Sequence, residues 1–254
     1  MKHGSKRAFT LTELLVVVPI VALLGTMLLA VSNDAKQQLQ AAACLNNMRQ
    51  WGLGFMLYAN DWNDYFPYDG DANNSPCATL NTSAWFNVVP QYIGQKRLCD
   101  LYTAGTPPTP LTKSPWSCPS ATNITVQPTL SNAYFMYSMS VCYHSEVFPS
   151  LGFRRNRATS PPNTILFCEE PEDSYPETQG LNDTVTRHFG GSNFVFWDGH
   201  ADWIAFTNFC RARNPGCPAP LGNIEWDNSS FGGDWSASIH YHWWPFLDAN
   251  TSSQ

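Results

Sequence analysis

The chain of 254 residues has room for one large domain or a small domain with an appendage, and 43% hydrophobic and 14% aromatic content excludes a disordered polymer. Only 13% of residues are charged, a proportion common in extracellular proteins, and the formal charge of −6 argues against nucleic acid as a partner, because phosphate binding needs a basic surface. Eight cysteines without a C-x-x-C pair point to disulfides in an oxidising compartment; they allow 105 complete pairings, so connectivity stays open, with Cys210 and Cys217 around "RARNPG" as the first candidates.

The first predicted element is helical. Leu14 to Val31 carries eighteen residues without a charge, near the lower limit for a membrane-spanning helix. Lys2, Lys6 and Arg7 precede it, which puts the N-terminus in the cytoplasm and the remainder outside. A secretory signal peptide cut within "GTMLLAVSNDA" is the rival, but apolar residues continue at Ala35, Leu39, Ala42, Leu45, Met48, Trp51, Phe55 and Tyr58, one stripe of an amphipathic helix running through the supposed cut. Gly52 and Gly54 suggest a break or bend near Trp51. Glu13 is a carboxylate at the front of the apolar tract, and such a group calls for a cationic partner.

The stretch "KRAFTLTELLVV" resembles the leader and mature start of type IV prepilins and type II secretion pseudopilins. A second likeness supports it: "AACLNNMRQWGLGFMLYANDWNDYFP", followed downstream by His188, nine residues, then Asp198-Gly199, is similar to a large bacterial group of pilin-like proteins. The resemblance implies cleavage between Ala8 and Phe9 by a prepilin peptidase, with methylation of the new Phe9 amino group; Ala8 stands where the family usually has Gly. It implies that Glu13 meets the Phe9 amino group of a neighbouring subunit, so that the apolar tract is an anchor before assembly and a filament core afterwards. The fold class expected is α+β and pilin-like: a long N-terminal helix, membrane-spanning in its first half and amphipathic in its second, packed against an antiparallel β-sheet head. The divisions are a leader 1–8, a transmembrane or filament-core helix 9–31, an amphipathic helix 32–62 and a head 63–254.

Beyond Asn63 the helical period is lost. "TPPTPLTKSPWSCP" has five prolines and reads as a surface loop or a seam. "AYFMYSMSVCY" and "NTILFCEE" read as strands, and "NFVFWDGHADWIAF" as a hairpin whose Asp198-Gly199 suits a type I′ turn.

The candidate chemistry is sparse. His188, Asp198, His200 and Asp202 cluster in sequence, but they match no zinc spacing and read better as a turn, a hydrogen bond from His188 to Asp198, and a strand face. His240 and His242 share a face if extended. "DGDANNS" begins like a calcium loop yet lacks glycine at the sixth place and an acid at the twelfth. No nucleophile elbow, phosphate loop or H-E-x-x-H motif is present, and adjacent Glu169 and Glu170 face opposite ways on a strand, so no catalysis is expected. No resident metal or cofactor is expected; the alternatives are calcium in the head, a metal at the His188, Asp198, His200 and Asp202 group, and a two-His site at His240 and His242.

The leading expectation is a structural subunit of a periplasmic or surface filament linked to type II secretion or a type IV pilus. Its implied partners are the prepilin peptidase, identical or related subunits, an inner-membrane assembly platform and membrane lipid. Its implied location is the bacterial inner membrane, single-pass with the head outside the cytoplasm, then the filament. The alternative is a membrane-tethered binding module for carbohydrate or another polymer, using Trp203, Trp235, Trp243 and Trp244.

Overall fold

The computed structural model describes residues 10–71, 75–110, 112–121, 133, 135–140, 154–158, 160–173, 176–178, 185–205, 224–227 and 239–242. The chain divides into two compact units, Met1–Gln40 and Ala41–Gln254.

A 51-residue helix, α1 (Leu11–Asp61), begins in the first unit and ends in the second. Thr10 starts it with a capping box. The Thr10 backbone N–H donates to Glu13 Oε2 at 2.9 Å, the Thr10 hydroxyl to the same oxygen at 2.8 Å, and the Glu13 N–H to Thr10 Oγ1 at 3.3 Å. From Leu11 to Leu24 ten large apolar side chains are each at least 50% exposed, Leu11 and Leu15 most of all, on every side of the helix.

In the second unit the helix acquires an inner face. Cys44, Met48, Trp51, Phe55, Tyr58 and Ala59 are buried, at the three- and four-residue spacing that keeps one stripe inward. The earlier members of the expected stripe, Ala35 and Leu39, are exposed. No break occurs at Trp51. Gly52 and Gly54 are there for close approach: a Cβ on Gly52 would strike the carbonyl oxygen of Gly199, and one on Gly54 would strike Val89 and Ile93. The helix stops where Asn63 and Asp64 take positive φ and the Asp64 N–H returns to the Ala59 carbonyl at 2.8 Å.

Four short helical segments follow: 3₁₀ turns at Thr79–Ser83 and Pro90–Ile93, α2 (Trp85–Val88) and α3 (Leu98–Thr103). A five-stranded sheet comes next, formed by β1 (Phe135–Ser140), β2 (Ile165–Asp173), β3 (Glu177–Thr178), β4 (Gly191–Phe196) and β5 (Ala201–Ala205) in the order β3-β1-β2-β4-β5. Four of these strands pair antiparallel; β3 joins the edge of β1 in parallel. β6 (Ile224–Asp227) and β7 (Ile239–His242) form a separate parallel pair. β1 and β4 are buried along their whole length, as expected of strands between packed layers. The core is aromatic: Trp51 lies 4.8 Å from Trp116, 5.3 Å from Trp85 and 5.8 Å from Phe167 by ring centroid. The proline-rich loop is the seam, with Pro115 to Cys118 buried and its carbonyls accepting from the helix, Pro115 from Trp51 Nε1 at 2.8 Å and Ser117 from Asn47 Nδ2 at 2.9 Å.

The expected fold class is overturned in two respects, both concerning the N-terminal helix. Among the described residues no helix is long and apolar enough to cross a membrane. The run from Leu14 to the next charge, Asp34, closes with the polar Ser32 and Asn33, which leaves the eighteen residues Leu14 to Val31, a rise of about 27 Å, against a hydrocarbon layer of roughly 30 Å. What packs on the sheet is not a long N-terminal helix but the stretch of α1 from Ala41 on, together with α2, whose Trp85 ring lies 5.8 Å from Phe135 of β1 and 4.8 Å from Phe167 of β2. Four strands of the sheet pair antiparallel, and the two-residue β3 adds a short parallel pairing at one edge.

Candidate functional site

The hairpin expected at Asp198-Gly199 joins β4 to β5, but its turn differs from type I′. Only Gly199 has positive φ, at 89°. The Gly199 N–H donates to the Phe196 carbonyl at 2.9 Å and the Phe196 N–H to the His200 carbonyl at 2.8 Å, the pattern of a three-residue loop with a glycine bulge. Asp198 turns inward on its own loop: Oδ1 accepts from the His200 N–H at 3.1 Å and lies 2.5 Å from His200 Nδ1. The His200 ring stacks on Phe196 with centroids 4.3 Å apart.

His188 is not the partner of Asp198. It opens a two-residue turn in which Phe189 (φ 51°) and Gly190 (φ 74°) both have positive φ, and His188 and Gly191 exchange backbone hydrogen bonds of 3.2 and 2.9 Å. The left-handed turn sought at Asp-Gly thus stands nine residues earlier, at Phe-Gly, and it aims His188 into the interior. Trp203 Nε1 secures the turn from β5 by donating to the His188 carbonyl at 2.7 Å.

Inside, His188 Nε2 lies 3.0 Å from Glu169 Oε1 and 3.4 Å from Cys118 Sγ. Glu169 Oε2 accepts the Asn193 N–H at 2.9 Å and the Ser192 hydroxyl at 3.4 Å. Cys118 is disulfide-bonded to Cys44 of α1, Cα atoms 5.2 Å apart. Glu169 and both cysteines are inaccessible to solvent, and His188 is 2% exposed. Burial by itself pushes the Glu169 carboxyl up; the His188 hydrogen bond and charge, Arg187 and the Asn193 N–H outweigh it and hold the group below its ordinary value. Beside it Tyr137 is pushed up, first by burial and then by the charge of Glu169, so its phenol stays protonated. Arg187 closes the cluster by donating to the Glu170 carbonyl. One carboxylate, one imidazole and two sulfurs therefore converge from α1, the seam, β2 and the turn before β4, all their ligand atoms lying within 4.8 Å of one another.

Sequence reading did not find this cluster. Its members are widely separated in the chain, and the adjacency of Glu169 and Glu170 carries no sign that the first is buried against His188. It also missed the capping box at Thr10, although Thr-x-x-Glu is its usual sequence sign. Ala8, Phe9, Cys210 and Cys217 lie outside the described residues, as do the side chains of His240 and His242 and the residues Trp235, Trp243 and Trp244. Two disulfides are described, Cys44–Cys118 and Cys77–Cys99, the second with Cα atoms 4.9 Å apart; Cys168 is a buried thiol 3.7 Å from Ser138 Oγ.

The oxygen-rich loop after Tyr68 is stitched to the protein's own amides. Asn81 Oδ1 accepts from the Asp71 N–H at 2.8 Å, and Asn81 Nδ2 donates to the Asp71 and Ser75 carbonyls at 3.1 and 3.0 Å. Asp69 is buried and its carboxyl pushed up to about 8, chiefly by that burial, which disfavours the charge that calcium requires. The described loop gives calcium no support. Most described tryptophans are core; Trp62 and Trp203 are the exposed ones. Comparison with protein-family models, with curated proteins and with solved structures finds no match to the chain.

Proposed function

We propose that the chain is a structural subunit of a pilin- or pseudopilin-like fibre, cut between Ala8 and Phe9 and assembled through the apolar tract at the front of α1. The observation that carries this reading is the exposure of ten large apolar side chains around the helix between Leu11 and Leu24. Isolated soluble proteins do not leave so continuous an apolar surface to water, so other molecules must cover it. The tract has no polar face to rest on a surface. Like copies packed side by side would cover it all round, and Glu13 at its head would then offer a carboxylate to the positive terminus of a neighbour. Before assembly the same tract associates the chain with the inner membrane, head outward, where the prepilin peptidase and the assembly platform meet it.

The test must separate two roles of Glu13, since it also caps its own helix. Glu13→Gln keeps the capping box and removes the charge; Glu13→Ala removes both. In cells carrying a prepilin peptidase and assembly machinery, the wild-type chain should yield fibres and a methylated Phe9 by mass spectrometry. Glu13→Gln should yield processed subunits with at least tenfold fewer fibres, about the effect of losing 1.4 kcal/mol per contact. Wild-type fibre yield from Glu13→Gln, or a mature chain that starts beyond Ser32, would overturn the reading in favour of a tethered binding module or a secreted protein.

A further inference from the structure

We propose that Cys44, Cys118, His188 and Glu169 form a redox-gated site for a thiophilic divalent cation of the zinc type, loaded when the two cysteines are thiolates and emptied when they join as the disulfide. The proposal goes beyond the fibre reading and does not depend on it.

The donor set fits this chemistry. Two sulfurs, an imidazole and a carboxylate are ligands zinc takes in four-coordinate sites, at about 2.3 Å from sulfur and about 2.0–2.2 Å from nitrogen and oxygen. A tetrahedron with such bonds has ligand-to-ligand edges of about 3.3–3.8 Å. The Cys118 Sγ to His188 Nε2 separation, 3.4 Å, already has that length, and the 3.0 Å from His188 Nε2 to Glu169 Oε1 needs only a few tenths of an ångström more. The widest separation in the set is 4.8 Å. Imidazole Nε2 faces both the sulfur and the carboxylate oxygen, where a shared cation would draw all of them.

The surroundings are built to hold the ligands. Glu169 Oε2 is fixed by the Asn193 N–H and the Ser192 hydroxyl, which leaves Oε1 toward the imidazole. The His188 backbone is held on both sides by Gly191 and by Trp203 Nε1. Tyr137 Oη lies 3.9 Å from Cys44 Sγ, close enough for its O–H to support a thiolate there. All four ligands are essentially closed to water, so the set resembles a structural rather than an open catalytic site.

The gating step balances with a small-molecule disulfide as oxidant. Two cysteine thiolates give up two electrons, the Cys44–Cys118 bond forms, the oxidant's S–S bond breaks into two thiolates, and the cation leaves as its hydrated ion. A dithiol reductant reverses it. The Cys77–Cys99 disulfide has no imidazole or carboxylate in a comparable group among the described residues and serves as the control.

The experiment uses the full chain with detergent to cover the apolar tract, and Co²⁺ as the probe. The chain reduced under anaerobic conditions should take up one Co²⁺ and show a thiolate-to-cobalt charge-transfer band; oxidised glutathione should abolish the band and release the ion. Cys118→Ser and His188→Gln should each weaken binding by more than about tenfold, while the Cys77→Ser, Cys99→Ser double variant keeps it. Each variant is first compared with the wild type by near-ultraviolet circular dichroism, and Glu169→Gln, which preserves side-chain shape, replaces His188→Gln if that variant does not fold. The proposal is overturned if the reduced chain shows no thiolate band, if the band survives both His188→Gln and Glu169→Gln, or if it disappears with Cys77 and Cys99 instead.

Discussion

Asp69 shows how one buried side chain can set a pH dependence. Its carboxyl is pushed from an ordinary 3.8 to about 8, chiefly by burial, so the native chain keeps a proton that the unfolded chain has already released. Stability therefore falls as pH rises from about 4 to about 8, and Asp69→Asn, which imitates the protonated acid, should flatten that slope in urea unfolding curves measured at pH 5 and pH 8. Glu169 acts in the opposite direction. Held below its ordinary 4.5, it contributes stability that is fully present above that value and lost as pH falls through its lower native one. Nothing in the sequence distinguishes these acids from exposed ones. Asp69 opens a stretch that only begins like a calcium loop, and Glu169 becomes special only because β4 and the turn before it place Asn193 and His188 against it. His188 itself was identifiable as a signature residue; its partner was not, since hydrogen bonding across strands depends on register that a linear reading does not supply.

Among the elements, the strands were the readable part: "AYFMYSMSVCY" contains β1, "NTILFCEE" the first two thirds of β2, and "NFVFWDGHADWIAF" nearly all of β4 and β5. Aromatic and β-branched enrichment between turn formers carries that signal. The turns were not readable to the same degree, because two Gly-containing dipeptides compete and only the tertiary setting decides which adopts two positive φ angles. The glycines of α1 were misread for a related reason. Helix propensity counts their entropic cost, whereas here the missing Cβ of Gly52 admits the hairpin tip to the helix and that of Gly54 admits Val89 and Ile93. Gly199→Ala should therefore cost more than Gly94→Ala in denaturant unfolding. Both residues have positive φ, about 1–2 kcal/mol of strain for alanine, but a Cβ on Gly199 would also press on Met56, adding about 1–3 kcal/mol, while at Gly94 it would meet open space. Equal costs at the two positions would contradict the packing argument.

At the level of the whole molecule, two disulfides cross-link the described head at sequence separations of 74 and 22 residues. By the loop-entropy relation the shorter one contributes about 3 kcal/mol and the longer about 4. Cys99→Ser, measured by urea unfolding without reductant, should lower stability by about 3 kcal/mol, and a loss under 1 kcal/mol would mean that the unfolded chain is already compact there. Neither pairing could be chosen from eight cysteines in a row of letters, and the pair favoured on local spacing, Cys210 with Cys217, lies outside the described residues. The greasy front of α1 was plain from the sequence; what distinguishes a span from a packing surface is length, and eighteen uncharged residues fall at that boundary. The contact of Gly52 with the tip at Gly199 has one further implication, for engineering. A loop between two hairpin strands is where a tag or reporter is usually spliced, but this tip is a keel seated on a helix, so an insertion at Asp198-Gly199 would lever the sheet from its support. Gly94 and Gly105, which close their turns with nothing facing them, are where this chain can accept foreign sequence.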